Sequence, residues 1–370
     1  MKILLLEPFL GGSHKRWAEG YRQYSRHEVQ ILHLKGRHWK WRMFGGAVSL
    51  AEQFLNSTFQ PDLILATDML DVSTFLGLAR QKAAGIPVAT YFHENQITYP
   101  WSPDDPDVAL HRNIQYGFIN YTSALASSKV LFNSPYHQHT FLESLPAFLK
   151  QFPDARSLNR VGEIAQKSMV LPLGLSLAWM DAHEARPMYP EATLLWNHRW
   201  EYDKNPEFFF RQLFRLKDEG HRFRLIVLGE SYRQFPPVFD EARKRLGDEI
   251  IHFGYVEEPG EYARLLWQAD ILPVTSRQDF FGGSIVEAIY CRCFPLLPNR
   301  LAYPMHIPAD KQATHLYHSE EGLYEKLAEA LHHIEKIRQQ DGIRHFVAQY
   351  DWSNLVHEYD GILENVAAAK

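Results

Sequence analysis

Residues 271–288 read ILPVTSRQDFFGGSIVEA. Ile271–Thr275 is a short, largely apolar run of the kind a parallel sheet buries on both faces. Gly282-Gly283 then marks a turn, and a helix is expected to begin near Ile285 with Ser284 as its cap. Strand, glycine turn and helix in that order form the half-unit of a doubly wound parallel sheet, and the backbone N–H groups at such a helix start suit phosphate oxygens. Glu287 is expected in the first turn, eight residues after Asp279, so both carboxylates would face one pocket. On spacing alone a plainer reading stays open: a glycine turn, then a helix whose acids favour its positive end.

The same alternation extends in both directions. Strands are expected at Ile3–Glu7, Val29–Leu34, Leu63–Thr67, Pro87–Phe92, Ser128–Asn133 and Ser168–Leu171. A helix is expected at Phe75–Ala84, with a stop at Gly85. After Pro187-Met188-Tyr189-Pro190, which reads as a linker, the series restarts at Ala192–Trp196. It continues through Arg224–Leu228, Ile250–Phe253, Ile271–Thr275 and Phe294–Leu297. The fold class is therefore α/β, with two doubly wound, Rossmann-like domains facing an interdomain cleft. The expected domains are 1–186 and 187–350, and 351–370 reads as a final helix packing back on either.

The opening MKILLLEPFLG is too short an apolar run for a signal peptide, because Glu7 and Pro8 break it; it reads as a buried first strand. No apolar run reaches the roughly 20 residues of a membrane span. Cys291 and Cys293, one residue apart, are badly spaced for a disulfide and read as reduced thiols, which fits a cytoplasmic protein. The net charge of −5 argues against a nucleic-acid partner, but the charge is uneven. Residues 1–60 carry nine Lys and Arg against four Glu, a balance of +5, which implies one basic face.

Four further stretches carry chemistry. In WNHRWEYDKNP, Trp196–Pro206, the cations Arg199 and Lys204 follow a strand and would together neutralise a diphosphate, although a solvated cation pair reads equally simply. In TYFHENQITYP, Thr90–Pro100, His93 closes a β-rich run with Glu94 and Asn95 beside it; a structural histidine is the alternative. In EPFLGGSHKRW, Glu7–Trp17, Gly11-Gly12 lets a backbone approach a ligand closely, or simply turns the chain. In KGRHWKWRMF, Lys35–Phe44, Arg37, Lys40 and Arg42 alternate with Trp39 and Trp41, a composition that meets phosphates and stacks on bases but also occurs on ordinary surfaces. Asp105-Pro106-Asp107 has the look of an acidic metal motif, yet Pro103 and Pro106 favour a turn.

Arg199 with Lys204, followed by Asp279 and Glu287 around FFGG, resembles the donor site of glycosyltransferase family 4, whose members are retaining enzymes of the GT-B fold. Members usually have Glu where this chain has Asp279. The stretches EPFLGGSHKRW, GRHWKWR, YFHENQITYP, WNHRWEYDKNP and DFFGGSIVEAIYCRCFPLLP are similar to the tRNA-queuosine mannosyltransferases and their bacterial relatives, and they spread from residue 7 to residue 298. The resemblance implies that Arg199 and Lys204 hold a diphosphate and Glu287 a ribose. Asp279, Phe281, Gly282, Gly283 and Ser284 would face the hexose and phosphates, and Tyr255 and Val256 the base. His93 would contact the sugar near its reacting carbon, with Gly11 and Gly12 on the site floor. His14, Lys15, Arg16, Arg37, Trp39, Lys40, Trp41, Arg42, Glu94 and Asn95 would contact the acceptor.

The implied activity is transfer of mannose from GDP-mannose to queuosine in tRNA, with no metal, no organic cofactor and no protein partner. Two other readings stay open. One is a family 4 enzyme with another nucleotide-sugar and a small saccharide, lipid or metabolite acceptor; the other is a non-catalytic tRNA-binding protein on a transferase scaffold.

Overall fold

The computed structural model describes residues 1–102, 105–110, 112–185, 187–230 and 235–369, so Pro103, Arg186 and Lys370 lie outside the described residues. The chain divides into two units. One comprises Met1–Ser176 with Trp352–Lys370, and the other Leu177–Asp351.

The first unit is built on a six-stranded parallel sheet. Its strands are β1 (Lys2–Leu10), β2 (Glu28–Lys35), β3 (Leu63–Thr67), β4 (Val88–Phe92), β5 (Lys129–Phe132) and β6 (Ser168–Val170), in the order β2-β1-β3-β4-β5-β6. The apolar opening of the chain becomes the inner strand β1: Ile3, Leu4, Leu5 and Leu6 are wholly buried, with Ile3 opposite Leu63 of β3. Fully buried β-branched and leucine side chains on both faces are what a sheet covered by helices on each side demands. One covering helix, Trp39–Asn56, packs Ala47, Leu50 and Phe54 against Leu4, Leu6 and Ile64. The expected helix Phe75–Ala84 is two helices, Val72–Leu78 and Arg80–Ala83, the first capped by the Asp71 carboxylate, which accepts from the Thr74 N–H at 2.9 Å.

The C-terminal helix Trp352–Ala368 belongs to this first unit. Trp352 is wholly buried and occupies space that only glycine leaves, since a Cβ on Gly20 or Gly174 would run into its indole. Trp17 donates to the Tyr359 hydroxyl at 3.2 Å, and Tyr21 to Asp360 at 3.0 Å.

The second unit has β7 (Ala192–Asn197), β8 (Phe223–Leu228), β9 (Ile250–Gly254), β10 (Ile271–Pro273), β11 (Phe294–Pro298) and β12 (Leu316–Tyr317), in the order β12-β11-β10-β7-β8-β9. β12 is only a residue pair, with no periodic pattern to announce it. The seam between units falls at Ser176/Leu177, ahead of the linker read from the prolines, because the 3-10 turn Ala178–His183 is anchored in the second unit: Trp267 donates to the Met180 carbonyl at 2.8 Å. Cys291 and Cys293 are free and buried, Cys293 lying 3.3 Å from the Leu266 carbonyl.

Candidate active site

In the second unit β7 lies between β8 and β10, so the connections leaving their carboxyl ends diverge at that point. Lys204 closes a 3-10 turn, Tyr202–Lys204, and Asn205 follows in the left-handed region (φ 56°) before Pro206 opens a helix. The buried ammonium donates to the Gln278 carbonyl at 2.8 Å and to Asp279 Oδ1 at 2.9 Å, and stands 3.2 Å from Asp203 Oδ2. Tyr303 donates its hydroxyl to the other oxygen of Asp279 at 2.5 Å. Burial alone would raise the Asp279 pKa, but Lys204 and the donated hydrogen bonds bring it below the ordinary carboxylate value. Burial likewise works against the Lys204 charge, and Asp279 and Asp203 outweigh it, so its pKa rises. The result is an ionised lysine with two carboxylates around it. Arg199 is exposed, 3.3 Å from Glu201, and within electrostatic reach of Lys204.

His198, which the sequence reading did not single out, is buried beside this group. Burial pushes its pKa down to about 4, so the imidazole is neutral, and its buried Nε2 has no hydrogen-bond partner among the described residues.

The helix after β10 runs Gly283–Tyr290, with Gly282 at its cap in the left-handed region (φ 89°). This corrects the expected cap at Ser284, which falls inside the first turn: the chain needs a positive φ immediately before the helix, which glycine supplies and serine resists. The first turn holds no acid, so Glu287 also lies one turn further in than its spacing implied. Glu287 is buried and accepts from the Tyr262 hydroxyl at 2.7 Å, while Asn197, ending β7, donates to Tyr262 and to the Ser284 carbonyl, each at 3.0 Å. Phe281 packs on His306 and Tyr350. Tyr255 follows β9 with its ring exposed, Val256 half-buried behind it.

In the first unit, β1, β3 and β4 are neighbours, and each delivers an ionisable residue at its carboxyl end: Glu7, Asp68 and His93. His14, from the first turn of the helix Gly12–Tyr24, joins them, its Nδ1 3.0 Å from Glu7 Oε2. Burial works against a charge on His14, but the Glu7 carboxylate overrides it and lifts the pKa to about 9. The His93 ring lies 4.2 Å from that of His14 between centroids and is held neutral, its pKa pushed well below the ordinary value by burial and then by His14. Asp68 accepts from the His93 N–H at 2.7 Å, and burial pushes its carboxyl well above the usual range. Gly12 takes a positive φ (51°) with open space around it. Gly11 instead packs backbone on backbone, its would-be Cβ 3.2 Å from Gly36 Cα.

A family model described as tRNA-queuosine alpha-mannosyltransferase N-terminal matches residues 2–175, and one described as glycosyl transferases group 1 matches residues 187–342. A Drosophila melanogaster protein named tRNA-queuosine alpha-mannosyltransferase is 32% identical over 340 residues, covering 88% of this chain and 85% of the relative. The chain belongs to the tRNA-queuosine alpha-mannosyltransferase family. Among solved structures, sucrose-phosphate synthase of Thermosynechococcus elongatus superposes with a TM-score of 0.72 at 14% identity over 100% of both chains. HepE of Anabaena, solved in complex with UDP, does so with a TM-score of 0.66 at 15% identity over 99% of this chain and 100% of that one. These likenesses establish the GT-B fold: this member of the queuosine mannosyltransferase family is a GT-B glycosyltransferase.

Seen as a member of that family, the chain spends several of the expected acceptor contacts internally. His14 is buried on Glu7. Asn95 is buried and accepts from the N–H groups of Ile97 and Thr98 at 3.1 and 2.9 Å, so it shapes its own loop, and Glu94 accepts from Gln96 at 2.9 Å. Lys40 is bound by both Asp105 and Asp107 at 2.6 Å, Asp105 capping the short helix Pro106–Ala109. The acidic triplet is thus a cap and an ion pair, and the basic stretch loses one free cation to it. Trp39 packs at 5.8 Å on Trp101 and 5.3 Å on Tyr116, leaving Trp41 as the exposed indole. Lys15, Arg16 and Arg37 are exposed; Arg42 is half-buried and donates to the Lys35 carbonyl at 3.2 Å. Asp68, Tyr262 and Tyr303 were missed from sequence because nothing in their neighbourhoods marks them: each reaches its partner across strands or loops.

Proposed function

We propose that this chain transfers mannose from GDP-mannose to a hydroxyl of the queuosine cyclopentene ring in tRNA, with retention of anomeric configuration. The observation that carries the reading is Lys204, a buried ammonium held by Asp203 and Asp279 in the stretch where the family resemblance puts the diphosphate. The name of the Drosophila relative supports the acceptor. As the bond from the anomeric carbon to the diphosphate breaks, negative charge grows on the leaving oxygen. Lys204 and Arg199 stabilise it, the part a divalent ion plays in other transferases. The acceptor oxygen bonds to the anomeric carbon on the face the diphosphate leaves, and its proton passes to the departing diphosphate, so no enzymic nucleophile is needed. Asp279 and Glu287 accept hydrogen bonds from the hexose and the ribose. A tRNA acceptor and two free, buried thiols suit a cytosolic enzyme.

The test is incubation with a panel of nucleotide-sugars and queuosine-containing tRNA, read as nucleoside mass. A hexose-sized gain with GDP-mannose is expected. No gain with any donor, on tRNA that a known queuosine mannosyltransferase does modify, overturns the assignment. A family 4 enzyme with a small acceptor is the second reading, favoured by the net charge of −5 and the neutralised Lys40. Its mark is a gain on free saccharides or metabolites and none on tRNA.

A further inference from the structure

Glu7, His14 and His93 have a second chemistry open to them. One ligand atom from each lies within 4.8 Å of the other two. We propose that these three side chains form a binding site for a divalent transition-metal ion of the zinc class, contained in the first unit. Two imidazoles and one carboxylate are a familiar ligand set for such an ion, leaving a fourth position open.

The geometry is most of the way there. Bonds of about 2.0–2.1 Å at tetrahedral angles separate neighbouring ligand atoms by roughly 3.3 Å. The His14–Glu7 pair already stands at 3.0 Å, and an ion would displace the proton the two share as the three ligand atoms, now within 4.8 Å, draw together. Among the described residues His93 Nε2 is buried and has no hydrogen-bond partner, a condition that calls for a reason in a buried polar atom. The main chain under the ring is fixed, with the His93 N–H on Asp68 at 2.7 Å and its carbonyl accepting from Asn133 at 2.8 Å. Glu7 is oriented by the Phe9 N–H, which its Oε1 accepts at 2.8 Å. Such outer contacts aim ligands before a metal arrives. Charge points the same way, since the Glu94 carboxylate lies within electrostatic reach of His14. The ligands belong to β1, the helix after it, and the end of β4, all within the first unit.

One consequence rests on the proposed function. If His93 is the sugar contact, an ion that ligates it removes that contact, and zinc inhibits transfer.

The experiment uses the full chain, freed of metal by chelation and dialysis, and titrated with cobalt(II) as the probe. The site predicts saturable binding of one ion with the intense visible bands of four-coordinate cobalt, abolished by zinc. His93→Gln is expected to weaken binding at least about tenfold and bleach those bands, and His139→Gln, at an exposed histidine on another helix, to leave both unchanged. Should Glu7→Gln fold poorly, His93→Gln still decides, because its imidazole Nε2 makes no hydrogen bond to any described residue and an unchanged melting temperature shows the ring packing kept. Absence of the bands, or bands that survive His93→Gln, overturns the site. Bands without zinc inhibition of transfer keep the site and remove His93 from the sugar.

Discussion

Lys204 and Asp279 lie 75 positions apart in the chain, yet their charged atoms meet at 2.9 Å in the second unit. Lys204 is buried and Asp279 half-buried, so removing either partner leaves a charge that the fold must bear. Lys204→Ala is expected to cut turnover by about 10²–10³-fold, the scale of one preorganised electrostatic contact. It is also expected to lower the melting temperature, since unpairing a buried ion typically costs about 3–5 kcal/mol. Arg199→Ala, at an exposed position, should show the kinetic loss with little change in melting. Steady-state kinetics beside calorimetry separate the two effects, and near-normal turnover in both variants would remove the cations from the mechanism.

Tyr303 holds Asp279 from the other side. Tyr303→Phe keeps the ring and deletes the hydroxyl, so the loss expected is about tenfold in kcat/KM for the donor, the size of one hydrogen bond to a charged group of roughly 1.5 kcal/mol. The KM for tRNA should not move. A change confined to the tRNA term would show that Asp279 serves something other than the donor.

The His14–Glu7 pair predicts a pH dependence of stability. His14 titrates near 9 in the folded chain against an ordinary value of 6.5, so the folded state holds its proton more tightly than the unfolded one. The contribution is therefore complete below about pH 6.5 and is lost as the pH climbs through 9. Denaturant midpoints of the wild type should fall between neutral and alkaline pH more steeply than those of Glu7→Gln. Parallel curves would show that the pair carries no such linkage.

For RNA binding, the internal neutralisation of Lys40 makes a sharp distinction. Arg37→Ala should reduce the salt slope of tRNA affinity by something near 0.7–0.9, the value of one phosphate contact, while Lys40→Ala should change it far less. Fluorescence anisotropy across a salt series checks this, and equal slopes for the two variants would contradict the ion pairing with Asp105 and Asp107.

Much of the fold was legible in the sequence because buried parallel strands leave unbroken apolar runs: Leu63–Thr67 appears with the same limits in sequence and structure. β12 was not legible, since Leu316–Tyr317 is too short for any period. Of the second unit's candidate residues, Lys204, Asp279 and Glu287 stand out in two short stretches whose roles come from the family resemblance, and the structure joins Lys204 to Asp279 and Glu287 to Tyr262. Tyr262 and Tyr303 do not stand out, because a tyrosine that supports a carboxylate from another loop carries no local mark. In the basic stretch, composition misled over Lys40: alternation of cations and aromatics does not reveal that two aspartates more than sixty residues on will claim one of them. Gly282 rather than Ser284 caps the helix because the positive φ there is a backbone demand that outweighs serine's side-chain preference for a cap.

The return of Trp352–Ala368 to the first unit sets an order on biosynthesis. A nascent chain that has just finished β6 possesses every strand of its first sheet but not the aromatic flank that Trp17 and Tyr21 pack against. The ribosome must deliver the whole of the second unit before that flank arrives. Until then the faces of Trp17 and Tyr21 that meet this helix stay uncovered, and exposed apolar surface of that kind is what makes a half-closed domain prone to aggregate.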